Sequence, residues 1–113
     1  MNEKIEVVFL PVKGPAELRT IPNTLEALQD LVEGYIEVSV LTSALYLIFN
    51  EDGNMRSLPL NPHVKDRWGH SLLGNVIFSR VDTASGGHVS VTAADVKYLC
   101  DLYKIQLTKE SPT

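Results

Sequence analysis

The chain has 113 residues, a formal net charge of −4 and a hydrophobic share of 44%. That length fits one domain around one core, and the apolar share excludes a disordered chain. Scattered, outnumbered Lys and Arg exclude general nucleic-acid affinity, which needs clustered cations, while the mild acidity suits a basic protein surface.

Ile5, Val7 and Phe9 alternate with Lys4, Glu6 and Val8, the period of a strand. Lys13-Gly14-Pro15 marks a turn, and Glu17 to Ile21 reads as a returning strand that Pro22 closes. Asn23 is the expected N-cap of a helix, with Glu26 reaching back in a capping box. Leu25, Leu28, Leu31 and Val32 line one side of that helix, and Gly34 stops it in the left-handed conformation. Tyr35 to Leu41 alternates again, with Ile36, Val38 and Val40 on one face. Leu45 to Phe49 is apolar on both faces, as a central strand is. Asp52-Gly53 predicts a type I′ hairpin turn with Met55 to Leu58 as its return strand.

Leu58 to Gly74 is an irregular segment holding Pro59, Pro62, His63, Arg67, Trp68 and His70. Gly74 to Val81 reads as a strand, Ser85-Gly86-Gly87 as a turn and His88 to Val91 as a short strand. Thr92 and Asp95 cap a second helix whose apolar stripe is Val96, Leu99, Cys100 and Tyr103. Residues 1–107 therefore form a single domain, and 108–113 a polar C-terminal tail. The fold class is α+β: a small, mainly antiparallel, twisted sheet with two helices packed on it. Ile5, Val7, Leu28, Val32, Ile36, Val38, Leu47, Phe49, Ile77, Val96 and Leu99 are the expected core. Helices this few leave part of the sheet uncovered, which points to self-association as a homodimer.

Cys100 is the only cysteine, so no intramolecular disulfide forms. Met1 to Lys4 is polar and Pro11 breaks the following apolar run, so neither a signal peptide nor a membrane span is expected, and the chain reads as cytoplasmic.

The chemistry-bearing residues are sparse. His63, His70 and His88 lack the paired spacing of a zinc site, and no metal or other cofactor is expected. Asn50 to Asn54 is oxygen-rich but lacks the acid spacing of a calcium loop. Cys100 falls on an apolar stripe, the place of a core thiol. Ser85-Gly86-Gly87-His88 is too short for a phosphate loop. Asp66-Arg67-Trp68-Gly69-His70 stands out, because Arg and Trp are the commonest interface anchors. The competing structural role has Trp68 capping the core edge and Arg67 paired with Asp66 or Asp82.

The run Asn23 to Val38, followed by Leu47 to Gly53 and by Leu58-Pro59-Leu60-Asn61, resembles a small domain-of-unknown-function family of gut bacteria, phages and conjugative elements. The match is strong over the middle third of the chain; Pro62 to His70 departs from it. The family offers no catalytic residues to carry over. The resemblance implies an accessory protein of a mobile element acting in a bacterial host cell.

The leading expectation is a non-enzymatic binding protein that inhibits a host protein, such as a defence-system component. Its binding residues are Arg67, Trp68, Asp66, His63, Asn61, Glu51, Asp52 and Tyr35. The alternative is a homo-oligomeric sponge for a nucleotide signal, with Arg67 or Arg80 on phosphate and Trp68 or Tyr35 on the base. A third reading, a small hydrolase using His63 or His70 with Asp66, has the least support.

Overall fold

A computed structural model describes residues 4–53 and 55–109. Side chains of a strand alternate between faces, and in the central strands here both faces are apolar. The first strand, β1 (Lys4–Leu10), pairs antiparallel with β2 (Glu17–Pro22), Ile5 lying opposite Ile21 and Phe9 opposite Glu17. The chain then crosses the sheet through α1 (Leu25–Val32) to the far edge strand β3 (Ile36–Val40). That strand pairs antiparallel with β4 (Leu45–Asn50), the central strand expected there. A hairpin, β5 (Leu60–Lys65) and β6 (Ser71–Leu73), forms a separate two-stranded sheet. The chain next enters β7 (Val76–Val81) between β4 and β1, and β8 (His88–Val89) pairs with the end of β7. The helix α2 (Ala93–Tyr103) and a last short strand, β9 (Thr108–Lys109), complete the order β3-β4-β7-β1-β2-β9.

One helix covers each face. Ile5, Val7, Phe9, Ile21, Ile48 and Ile77 pack with Leu28 and Val32 of α1. On the other face Val8, Leu10, Leu45, Leu47, Val76 and Phe78 pack with Leu99 of α2 and with Val64 and Leu72 of the hairpin. The α+β class therefore holds, but the sheet is mixed, because β9 runs parallel to β2.

Several local expectations are corrected. Thr24, not Asn23, is the N-cap of α1; its hydroxyl accepts from the Ala27 amide at 3.1 Å, while Asn23 Nδ2 donates to the His88 carbonyl. The left-handed residue after α1 is Glu33 (φ 65°), not Gly34. Gly34 is required for space: a Cβ there would lie 2.7 Å from Asn50 Nδ2. That amide is buried and donates to the Val32 carbonyl, so the edge of β4 fastens the end of α1.

Asp52-Gly53 does not close a hairpin. The Arg56 amide donates to the Asp52 carbonyl and the Leu58 amide to that of Gly53, so the chain coils, and β7 takes the place expected for Met55 to Leu58. Val38 is 43% exposed rather than core, because Ile36 is the β3 residue that packs against the cluster under α1, and Ile36, Phe49 and Val96 are only partly buried. Thr108 and Lys109 belong to the sheet; the rest of the expected tail lies outside the described residues. The Thr92–Asp95 capping box of α2 forms as expected.

Candidate functional site

The irregular segment of the sequence holds the hairpin that carries the most prominent exposed side chains. Asp66 to Gly69 is a tight turn closed by the Gly69 amide donating to the Asp66 carbonyl at 3.0 Å. Gly69 takes φ 84°, a value that costs glycine little. Asp66 Oδ1 accepts from the amides of Trp68 (2.9 Å) and His70 (2.8 Å), and Oδ2 lies 3.1 Å from His70 Nδ1. Burial pulls the Asp66 carboxyl upward, but those two amides and the His70 ring outweigh it and hold it below the usual carboxylate range. Asp66 thus shapes the tip from behind.

On that frame stand Arg67 and Trp68, and both are exposed. Trp68 is 66% exposed, and the Arg67 guanidinium stacks 5.1 Å from the centre of its ring. Trp68 therefore does not cap the core edge, and Arg67 stacks on Trp68. The base of the hairpin is anchored: buried Asn61 donates to the carbonyls of Leu10 (2.8 Å) and Gly74 (2.9 Å). His63 Nε2 donates to the Gly14 carbonyl at 3.0 Å. Tyr103 of α2 stacks on buried Phe78 and donates its hydroxyl to the Lys65 carbonyl at 2.8 Å. Burial, with Tyr98 and Asp66 nearby, pushes the Tyr103 hydroxyl up to about 12, so it remains a donor.

Between hairpin and helix end lies a groove of about 460 Å³. Lys65, Arg67 and Lys104 line it together with His63 and Leu102. An acidic chain has thus gathered a local cationic surface beside its exposed tryptophan. Sequence reasoning missed Lys65 and Lys104, which are separated along the chain and meet only because Tyr103 docks on the hairpin. Their one sequence signal is position: each directly precedes or follows an anchoring residue.

The predicted binding residues do not form one site. Asn61, His63, Asp66, Arg67 and Trp68 belong to the hairpin, Asn61 as an internal clamp. Tyr35 and Asp52 line another hollow of about 450 Å³ at the end of α1, with Asp30 and Arg56. Glu51 lines a third, with Glu37 and Ser71. Arg80, a candidate phosphate ligand, is engaged by Asp95 at 2.7 and 3.0 Å. A further hollow of about 440 Å³, on which no sequence expectation fell, has Phe9 beneath the Arg19–Glu17 ion pair.

Ser79 and His88 form a hydroxyl–imidazole contact of 3.1 Å. Ser79 is fully buried, so a substrate cannot reach its oxygen. Burial holds the His88 imidazole below its ordinary value. Cys100 is half-buried, and burial together with Asp101 pushes its thiol up, away from the reactive thiolate. Among the described residues, no three His, Cys, Asp or Glu side chains converge as metal ligands, and no helix is long and apolar enough to cross a membrane.

The family model for a domain of unknown function, DUF3846, matches residues 5–104. The chain belongs to the DUF3846 family. This match covers both helices and the whole β5–β6 hairpin, so Pro62 to His70 lies inside the DUF3846 domain. Searches of curated proteins and of solved structures found no match to the chain.

Proposed function

We propose that this DUF3846 domain is a non-enzymatic binding protein that engages a partner protein through the tip of the β5–β6 hairpin. The observation that carries this reading is the stacked, solvent-exposed Arg67–Trp68 pair held on a turn that Asp66 fixes. Large side chains already ordered in the free protein lose little freedom on binding, which is what makes Trp and Arg effective anchors. The cations beside the tip give the partner's character: an acidic patch next to an apolar pocket for the indole. The resemblance to mobile-element proteins supports a partner from the bacterial host, such as a component of a defence system.

The test is capture from host lysate with immobilised wild-type protein, Arg67→Ala and Trp68→Ala, followed by mass spectrometry. Each substitution should weaken a specific capture by about 2 kcal/mol or more. Undiminished capture by both variants contradicts the proposal.

A second reading draws on the same groove. Lys65, Arg67 and Lys104 lining one hollow are what a nucleotide-sequestering oligomer would use on phosphates, with Trp68 for the base. Thermal shift against cyclic and linear nucleotides separates the two, since a tight ligand raises Tm by mass action. No shift with any nucleotide removes this reading.

A further inference from the structure

The geometry points to a second copy of this chain as the occupant of the free edge of β3, the two strands joining antiparallel about a twofold axis centred on Val38. This edge is separate from the hairpin tip, and its hydrogen-bond parity leaves it open. The Glu51 amide donates to the Tyr35 carbonyl and the Leu41 amide to the Leu45 carbonyl, in register with the β3–β4 ladder. Odd-numbered residues of β3 therefore bond inward to β4, and Ile36, Val38 and Val40 aim their amides and carbonyls outward. No described strand pairs with that side.

Most of the usual protections of such an edge are missing, Glu37 being the strand's one charge. The Ile36–Val40 register against β4 has no bulge, and the strand holds no Lys, Arg or Pro. The opposite edge is treated differently: β9 covers the start of β2, and Pro22 ends it.

The strand is also complementary to itself. Centring the pair on Val38 sets Val38 against Val38 of the other copy and Ile36 against Val40, all on one face. On the other face Glu37 meets Ser39, so the two carboxylates are not opposed. One step further out, Tyr35 lies against Leu41. This pairing covers Val38, Val40 and Tyr35, which are 43%, 39% and 69% exposed in the single chain. It extends the sheet across the twofold with reciprocal contacts, the form a closed homodimer requires.

Sedimentation velocity tests this. The wild-type mass should rise with concentration from 12.5 kDa toward twice that, and Val38→Lys, which opposes two cations across the axis, should remain monomeric. Two cysteine variants, made in a Cys100→Ser background, keep the test sharp if Val38→Lys does not fold. Val38→Cys should form a disulfide dimer on mild oxidation, because directly paired antiparallel residues lie about 5.5 Å apart at Cα, within disulfide range. Glu37→Cys, displaced from the axis, should cross-link at least tenfold more slowly. A wild-type chain still monomeric at about 1 mM, where only associations weaker than millimolar escape detection, overturns the proposal. So does a dimer that Val38→Lys leaves intact, or equal cross-linking of the two cysteine variants.

Discussion

Gly34→Ala is the substitution whose effect the structure sets most closely. Gly34 has no positive φ, so alanine meets no backbone strain there; what it meets is Asn50 Nδ2 at 2.7 Å. Arg56 is nearby too, but it is exposed and can swing away. Asn50 cannot. It is 3% exposed, donates to the Val32 carbonyl at 2.9 Å, and accepts from the Asp52 amide at 2.7 Å. Overpacking of this kind costs about 1–3 kcal/mol, and weakening a buried hydrogen bond adds about 1 kcal/mol. The expected destabilisation is therefore roughly 2–4 kcal/mol. Asn50→Ala alone should cost about 2–3 kcal/mol, since it leaves the Val32 carbonyl without its donor. The decisive quantity is the cycle. With Asn50 already alanine, Gly34→Ala should cost less than about 1 kcal/mol, because the obstructing amide is gone. Urea denaturation followed by circular dichroism at 222 nm measures all four proteins. A Gly34→Ala cost that is unchanged in the Asn50→Ala background would refute the steric account and restore a purely conformational role for the glycine.

Other outcomes follow from the same details. Glu33→Gly should stabilise by up to about 1 kcal/mol, because φ 65° suits glycine better than glutamate; thermal melting reads it. Thr92→Ala should lower stability by about 1 kcal/mol through loss of the α2 capping box. Asp66 and His88 both have folded pKa values below their ordinary ones, so the unfolded chain binds their protons more readily and stability falls with falling pH. The His88 contribution is complete above its unfolded value near 6.5 and declines below it; that of Asp66 persists until pH drops below its unfolded value near 3.8. A His88→Asn variant whose stability retains the same slope between pH 5 and 7 would remove the assignment to that ring. The Cys100 thiol should react with a disulfide reagent at neutral pH more slowly than free cysteine, and equal rates would count against its burial.

The sequence carried the local features well. Period-two alternation placed β1 and β3, a run apolar on both faces placed β4, and the Thr92–Asp95 spacing placed the α2 cap, because each depends on residues a few positions apart. What failed was decided elsewhere in the fold. Gly34 looked like a helix stop because nothing local announces that Asn50 will arrive beside it. Asp52-Gly53 looked like a hairpin turn until β7 claimed the flank of β4. The β5–β6 hairpin was hidden because Pro62 and Asn61 interrupt its alternation; Asn61 points inward as a clamp instead of outward as a polar residue. At the site, Arg67 and Trp68 were legible by residue type, whereas Lys65 and Lys104 needed the Tyr103 contact to become neighbours of the same groove. Glu51 lies against β6 at the base of the hairpin, and Tyr35 and Asp52 lie at the end of α1, so neither place brings them to the tip that carries Arg67 and Trp68.

The hairpin tip as a binding surface is tested most directly by hydrogen exchange on the free chain and on its complex with a protein that wild type captures and Trp68→Ala does not. Amides from Lys65 to Ser71, together with those at the end of α2 near Lys104, should exchange more slowly in the complex. Protection confined to other elements, with the tip exchanging as it does alone, would contradict the account.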